Sequence, residues 1–374
     1  MRRVVILQEH LPHYRLPFFE KLCARLKQHD IQLQVICGEQ LDKRFLYSNL
    51  ECVVRVPIKR YGPLAFHCAL KECSHACLII APQEVKYAIS WWLIFKSSYS
   101  KGRFAFWGHG RNFQASGTSS PAEIFKRFLS RRVDWWFAYN SPSAQVVREL
   151  GFPPSKITNV GNAIDLKALI KSRESFDTST LEEFRKEHGL TSRNICVYTG
   201  GLYAIKRIDF LLRAADKIRE KISDFELIII GDGPLKPTVD QLSAERSWIH
   251  CTGALGDLAK LPYWLVSKAL LMPGGVGLVI LDSFALGVPI ITTETHLHGP
   301  EIDYLNHGEN GLLVRCGDDA NLYADAVCDL MREPARLEFL RNGALAAASQ
   351  HSIENMVENF TEGVLSVLAV PSSR

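Results

Sequence analysis

Short apolar runs alternate with amphipathic stretches of helical spacing along most of this chain, and the alternation starts twice. The first series opens at residues 4–8. A stretch follows in which Phe19, Leu22, Cys23 and Leu26 fall on one helical face, and further apolar runs come at 33–37, 52–57, 78–81, 103–107 and 135–139. A polar, charged stretch runs from Asp165 to about Arg193. The series then restarts at 195–199, 226–230, 248–252, 269–272 and 289–292. Strands that alternate with helices pair in parallel, because only a crossover brings the next strand back to the same edge. Two such series predict an α/β protein of two Rossmann-like domains, at 1–165 and 194–350. Residues 166–193 are expected to connect them, and 351–374 to form a terminal helix that packs back toward the first domain. A length of 374 residues suits two domains of ordinary size.

Composition narrows the class. Hydrophobic residues make up 47% and charged residues 22%, the balance of a globular chain and not of a disordered one. No stretch approaches the ~20 continuous apolar residues of a membrane-spanning helix. The opening residues read as a first strand and not as a signal peptide, so the chain is expected in the cytosol. Its ten cysteines, several inside apolar runs, fit a reducing compartment. His67, Cys68, Cys73, His75 and Cys77 cluster in sequence without a pair of CxxC half-sites. A buried helix followed by a strand is preferred there over zinc, and no metal ligand is assigned.

Charge is unevenly spread. Residues 1–160 hold 23 Lys and Arg against 11 Asp and Glu, a net of +12; the remainder holds 21 against 29, a net of −8. A basic half points to an anionic partner. No nucleic-acid-binding motif accompanies the charge, so an anionic membrane surface or a phosphorylated acceptor is expected instead. The mixed aromatic and basic segments 91–96 and 124–128, with Arg131 and Arg132, suit a lipid headgroup region, although helices packed on a sheet would also account for the aromatics.

Ligands of parallel α/β domains bind beyond the carboxyl ends of the strands. The loops there carry the chemistry. In the second half they read Gly200-Gly201-Leu202 with Lys206-Arg207, then Gly231-Asp232-Gly233-Pro234, then Gly253-Ala254-Leu255. The fourth reads Gly274-Gly275-Val276-Gly277-Leu278-Val279, with Asp282 following. Glycines admit an anion close to the backbone, a helix start presents N–H groups, and a lysine adds a point charge. Each loop alone is an ordinary strand-to-helix turn; four on successive strands make a phosphate site the better reading. In the first half, His13, Tyr14 and Arg15 follow the opening strand. His109 stands between Gly108 and Gly110 at another strand end, a poor place for core packing.

In this order the motifs resemble the donor-binding half of family 4 retaining glycosyltransferases. The segments His298-Gly299-Pro300-Glu301-Ile302 and Asn310-Gly311-Leu312-Leu313-Val314 are similar to the loop and strand that follow there. Asn162-Ala163-Ile164-Asp165 is similar to the family's domain junction. The resemblance implies a GT-B fold, two Rossmann-like domains facing across a cleft, and metal-independent transfer from a UDP- or GDP-sugar to a glycan or lipid-linked acceptor. It implies that Lys206 neutralises the donor diphosphate with the Gly277-Leu278-Val279 backbone, that Asp282 takes the ribose, and that Gly253, Ala254 and Leu255 lie along the base. His109 would lie by the donor sugar, and His13, Tyr14 and Arg15 would meet the acceptor. Two positions depart from the pattern. Gly274 stands where the family has a glutamate on the donor sugar, and Gly201 where it has an arginine, a cation that Arg207 would have to replace. A homologue without catalysis and a sugar-nucleotide epimerase are the alternatives; a nicotinamide dehydrogenase fits less well, because no Gly-x-Gly-x-x-Gly follows the first strand.

Overall fold

A computed structural model describes residues 1–38, 50–62, 64–84, 86–97, 102–110 and 131–370. Residues 111 and 112 and the segment 124–128, including Lys126 and Arg127, lie outside the described residues, as do the side chains of Phe95 and Lys96. The chain divides into two compact units, Met1–Asp165 with Ser352–Arg374, and Leu166–His351.

The first unit holds β1 (Arg2–Leu7), β2 (Ile31–Gly38), β3 (Val53–Val56), β4 (Ile58–Tyr61), β5 (Leu64–His67), β6 (Leu78–Pro82), β7 (Arg103–Gly108), β8 (Trp135–Ala138) and β9 (Ile157–Asn159). Its parallel sheet has the order β3-β2-β1-β6-β7-β8-β9. Val4, Val5, Ile6, Leu78, Ile80, Phe104 and Ala105 are almost wholly buried or fully so, as expected of strands covered on both faces. β4 and β5 form a separate antiparallel hairpin that the periodicity does not predict, since Lys59, Arg60 and Tyr61 are exposed. The cysteine–histidine cluster runs from the end of β5 through a short helix Leu70–Cys73 to the residue before β6. His67 Nε2 there lies 3.1 Å from the Gln8 carbonyl. Among the described residues no three His, Cys, Asp or Glu side chains come together as a metal site.

The C-terminal helix Ile353–Ala369 belongs to this first unit. Phe360 stacks on Phe137 of β8 at 4.4 Å and meets Phe18 and Trp107 edge-on. Gly363 lets the helix lie on the sheet, because a Cβ there would sit 2.6 Å from both Phe137 Cε1 and Thr158 Oγ1. Arg25 adds a two-pronged pair to Glu358, at 2.9 Å for both bonds.

The second unit holds β10 (Ile195–Thr199), β11 (Glu226–Ile230), β12 (Ile249–Gly253), β13 (Ala269–Leu271), β14 (Ile290–Thr293) and β15 (Gly311–Val314). Its parallel sheet has the order β12-β11-β10-β13-β14-β15. The order reverses between β10 and β13, which makes that edge the ligand-binding position of an open α/β sheet. Residues 166–193 are not a bare connection. They form helices Lys167–Arg173 and Thr178–Glu187 and belong to this unit. Most of their charge lies outward, whereas Leu169 is buried, Arg185 is buried and donates to the Ser192 carbonyl, Arg173 donates to the Ala285 carbonyl at 3.0 Å and Phe184 meets Tyr263 at 4.8 Å.

Phe360→Ala should destabilise the first unit by about 3–5 kcal/mol, the range for deleting a buried phenyl ring. Urea unfolding followed by tryptophan fluorescence measures it. A loss below about 1 kcal/mol would mean that the helix is not a fixed part of that core.

Candidate functional site

At the carboxyl edge of the second sheet, two turns touch backbone to backbone. Gly200 N donates to Ile230 O at 3.0 Å, Leu202 N to Asp232 O at 2.9 Å and Leu235 N to Leu202 O at 3.0 Å. A Cβ on Gly231 would overlap the Gly200 carbonyl oxygen, and one on Gly233 would sit 2.7 Å from Leu202 O. These glycines are therefore demanded by the approach of the turns. Gly231 N also donates to Gly253 O at 2.9 Å, which joins the third loop to the other two. Asp232 and Ala254 are exposed there, with Leu255 half-buried. Asp232 Oδ1 accepts from the Gly233 N–H at 2.7 Å.

The turn after β10 then places Lys206. Its ammonium donates to the Gly275 carbonyl of the fourth loop. Gly275 takes a left-handed conformation, φ 57°, and a Cβ on it would meet the Lys206 stem at 2.9 Å. Burial lowers the Lys206 ammonium from its ordinary range, and the Glu301 carboxylate works against that fall. Beyond Gly275 the loop runs through buried Val276 and half-buried Gly277 and Leu278 into helix Val279–Leu286. A helix start leaves its first N–H groups without intrahelical acceptors, so Gly277, Leu278 and Val279 present partial positive charge at this end. Lys206 is thus fixed on the loop that opens this helix.

Both departures from the family pattern are filled by neighbours. At Gly201 a Cβ would run into the Tyr203 ring. At Gly274 it would lie 2.7 Å from Ile205 O and 2.9 Å from Arg207 Cγ. The glutamate position is therefore closed by the arginine stem. Arg207 does not turn its guanidinium to the Lys206 side. It donates to Thr293 Oγ1 at 2.7 Å and Gly317 O at 2.7 Å, pairs with Asp318 at 3.0 Å and lies over the Phe210 ring at 4.1 Å.

Asp282 lies in the first turn of helix Val279–Leu286 and is 8% exposed. Lys260 donates to its Oδ2 at 2.8 Å and to Asp257 Oδ1 at 2.9 Å. Burial pushes the Asp282 carboxyl up and the Lys260 ammonium pulls it down. This ion pair spans 22 residues and leaves no trace in local sequence.

In the first unit, His109 at the end of β7 stacks on Tyr139 with centroids 4.1 Å apart, its Nδ1 lying 3.4 Å from Ser143 Oγ. His13 and Tyr14 are exposed. Arg15 corrects the expectation for its segment. It is 8% exposed and bonded to Asn162 Oδ1 and the Ala163 carbonyl, among the rings of Tyr14, Trp107 and Tyr139. A guanidinium so enclosed fastens the opening turn to residues 162–163 and does not project to an acceptor.

Sequence reasoning missed a charged group at the carboxyl end of β1. Glu9 accepts from Tyr87 Oη at 2.5 Å and pairs with Lys86 at 2.8 Å and with Arg60 of the hairpin. Burial alone would raise the Glu9 carboxyl; the bonds from Lys86, Tyr87 and Arg60 outweigh it and hold it down at about 2.

The second unit matches a family model. Residues 193–333 fit the model described as Glycosyl transferases group 1. A GDP-mannose-dependent alpha-(1-6)-phosphatidylinositol monomannoside mannosyltransferase of Mycolicibacterium smegmatis is 25% identical over 189 residues, covering 47% of each chain. This chain spans about half the length of the curated relatives it matches. Among solved structures, HepE of Anabaena in complex with UDP superposes with a TM-score of 0.70 at 14% identity, over 98% of this chain and 100% of that one. A glycosyltransferase from Rickettsia africae superposes with a TM-score of 0.73 at 14% identity, over 98% and 99%.

A depressed carboxyl stabilises the fold above its unfolded value and loses that contribution as pH falls through its folded value. Glu9→Gln should therefore remove about 1–2 kcal/mol at pH 7, after discounting for the partly exposed Arg60 and Lys86, and narrow its gap to wild type between about pH 4.5 and 2. Urea titrations across that window test this; equal midpoints at pH 7 would dismiss it. The chain has the GT-B fold of these glycosyltransferases, two Rossmann-like α/β domains built on parallel sheets.

Proposed function

We propose that the chain is a glycosyltransferase that moves a sugar from a nucleotide-sugar donor to an acceptor hydroxyl, with retention at the anomeric carbon. The observation that carries this reading is Lys206 held on the glycine loop that opens helix Val279–Leu286. The bond from the anomeric carbon to the diphosphate oxygen breaks, the nucleoside diphosphate leaves with the electron pair, and the acceptor oxygen forms the new bond as its proton passes to the departing diphosphate. Charge grows on the leaving oxygens, and a fixed ammonium with helix N–H groups stabilises it without reorganising. Lys206, Gly277, Leu278 and Val279 do this work, and no metal or other cofactor is assigned to the step. Gly200, Gly201, Gly231 and Asp232 shape the same edge. Gly253, Ala254 and Leu255 take the base, Asp282 the ribose, and His109 orients a hydroxyl of the transferred sugar.

Both UDP and GDP stand as donor carriers, since a curated relative is GDP-mannose-dependent and a structural neighbour was solved with UDP. For the acceptor we favour a lipid-linked or membrane-associated glycan, as in cell-surface polysaccharide or lipopolysaccharide assembly, met by His13 and Tyr14. The net +12 of residues 1–160 supports attraction to an anionic surface, and among the described residues no helix is long and apolar enough to cross a membrane. We place the chain at the cytoplasmic face as a peripheral protein. A second reading, a binding protein of this fold without turnover, draws on the closed positions at Gly201 and Gly274.

Thermal shift against UDP-, GDP- and ADP-sugars should pick out one base, and Lys206→Ala should lower kcat by about 10²-fold or more with the fold intact. Donor binding without product, for any acceptor offered, would favour the non-catalytic reading; full activity in the variant would remove Lys206 from the chemistry. Neutralising Lys126, Arg127, Arg131 and Arg132 should abolish binding to vesicles of anionic lipid, measured by sedimentation. Unchanged binding would reject those residues as the contact.

A further inference from the structure

The glycine loop that carries the phosphate-binding edge has a second support besides Lys206. His298 is 7% exposed, and its two ring nitrogens face two different pieces of backbone. Val276 N donates to His298 Nδ1 at 3.1 Å, and His298 Nε2 lies 2.7 Å from the Thr293 carbonyl oxygen. The geometry fixes the tautomer. A backbone N–H only donates, so Nδ1 is the acceptor; a carbonyl only accepts, so Nε2 carries the hydrogen. Only the neutral ring with its proton on Nε2 makes both bonds. Gly299 N returns a bond to Val276 O at 2.7 Å, so loop 274–277 and segment 298–299 hold one another from both sides. β14 completes the frame, with Thr292 Oγ1 donating to Met272 O at 2.7 Å and Thr293 Oγ1 to Pro273 O at 2.6 Å.

We propose that neutral His298 is a positioning residue for donor binding: it clamps Val276 so that the adjoining N–H groups of Gly277, Leu278 and Val279 stay aimed at the donor diphosphate. The inference rests on the donor-site reading above. His298 does not touch the donor. It acts through the loop, and a second proton on its ring would remove the acceptor that Val276 needs.

The surrounding charge keeps that proton off near neutrality. Burial lowers the imidazole from its ordinary value, and the cations Lys206 and Arg207, on the turn after β10, add to the fall. The bond to the Thr293 carbonyl opposes them. Glu301, on the same segment as His298, has its carboxylate near Gly277 and Gly299. From the loop and from β14 the ring meets the neutral groups Val276, Thr292 and Thr293. Only the neutral ring completes the clamp, which opens as pH falls through the lowered value of the folded chain.

The test compares wild type with His298→Asn and His298→Ala by calorimetry with UDP and GDP from pH 7.5 to 5. Asparagine can place its amide oxygen where Nδ1 stands and does not titrate. It should bind within about threefold of wild type at pH 7.5 and keep only the pH slope of the nucleotide's own terminal phosphate, which titrates near ~6. Wild type should lose affinity beyond that slope as pH falls, and alanine should be about tenfold weaker throughout. A second readout needs no ligand: amide exchange at Val276 in the free protein should speed up at least tenfold in the alanine variant and stay near wild type in the asparagine one. If the alanine variant does not fold, the asparagine comparison and the wild-type pH series still decide. Equal pH slopes in wild type and asparagine, or unchanged Val276 exchange in alanine, would overturn the clamp. Failure of wild type to bind either nucleotide, with the exchange pattern as expected, would instead reject the donor-site reading and leave the clamp as a property of the loop.

Discussion

The contact between the Gly231 Cα and the Gly200 carbonyl, too close for any side chain at 231, sets the geometry of the second unit's carboxyl edge. β10 and β11 are neighbours, so the turns that leave them must diverge or interlock. Here they interlock through Leu202 N to Asp232 O and Leu235 N to Leu202 O. A buried carbonyl without a partner would cost about 1–3 kcal/mol, which makes the interlocked register self-supporting. Once it is fixed, the path of residues 203–207 is fixed too, and with it the place of the Lys206 ammonium. Arg207 enters its helix in the left-handed region at φ 55°, a conformation that an arginine adopts only when its surroundings hold it there. The bonds from its guanidinium to Thr293, Gly317 and Asp318 are what hold it.

That arginine also explains an oddity that the sequence left open. With the Arg207 stem lying where a Cβ at 274 would project, the glycine at 274 and the path of the stem go together. Gly201 behaves alike, because the Tyr203 ring lies over it. Neither glycine marks an empty socket. Each is the small partner of a larger neighbour three residues or fewer from Lys206, so the departures read as a repacked edge more than as an eroded one.

What the sequence disclosed and what it hid follow from range. The strand–helix alternation is local, and it carried the two parallel sheets and the positions of the glycine turns. The β4–β5 hairpin escaped because its outward residues, Lys59 to Tyr61, have no apolar alternation to show. Segment 166–193 looked like a connection because its charges dominate, while Leu169 and Phe184 supply only a narrow apolar stripe. Arg15 could not be separated from its neighbours His13 and Tyr14 by type alone; its direction is settled by Asn162, 147 residues away. Lys260 with Asp282, Glu9 with Lys86 and Arg60, and His298 with Val276 are likewise pairings across distant loops, and no periodicity encodes them.

The ion pair at Asp282 bears on the electrostatics of the whole edge. Helix Val279–Leu286 is buried from Ile280 to Leu286, and the positive end of its dipole, at half-buried Gly277, Leu278 and Val279, is partly screened by water. A lone carboxylate in its first turn would cancel much of that field and repel a diphosphate. Lys260, itself 7% exposed, supplies the compensating charge within 2.8 Å and takes a second carboxylate, Asp257, on its outer side. Asp282 thus sits one turn behind the loop as one of two carboxylates that share the Lys260 ammonium. Removing Lys260 would leave a buried carboxylate unpaired in the same helix start that presents Gly277, Leu278 and Val279, so a residue outside every glycine turn sets the charge balance of that helix start.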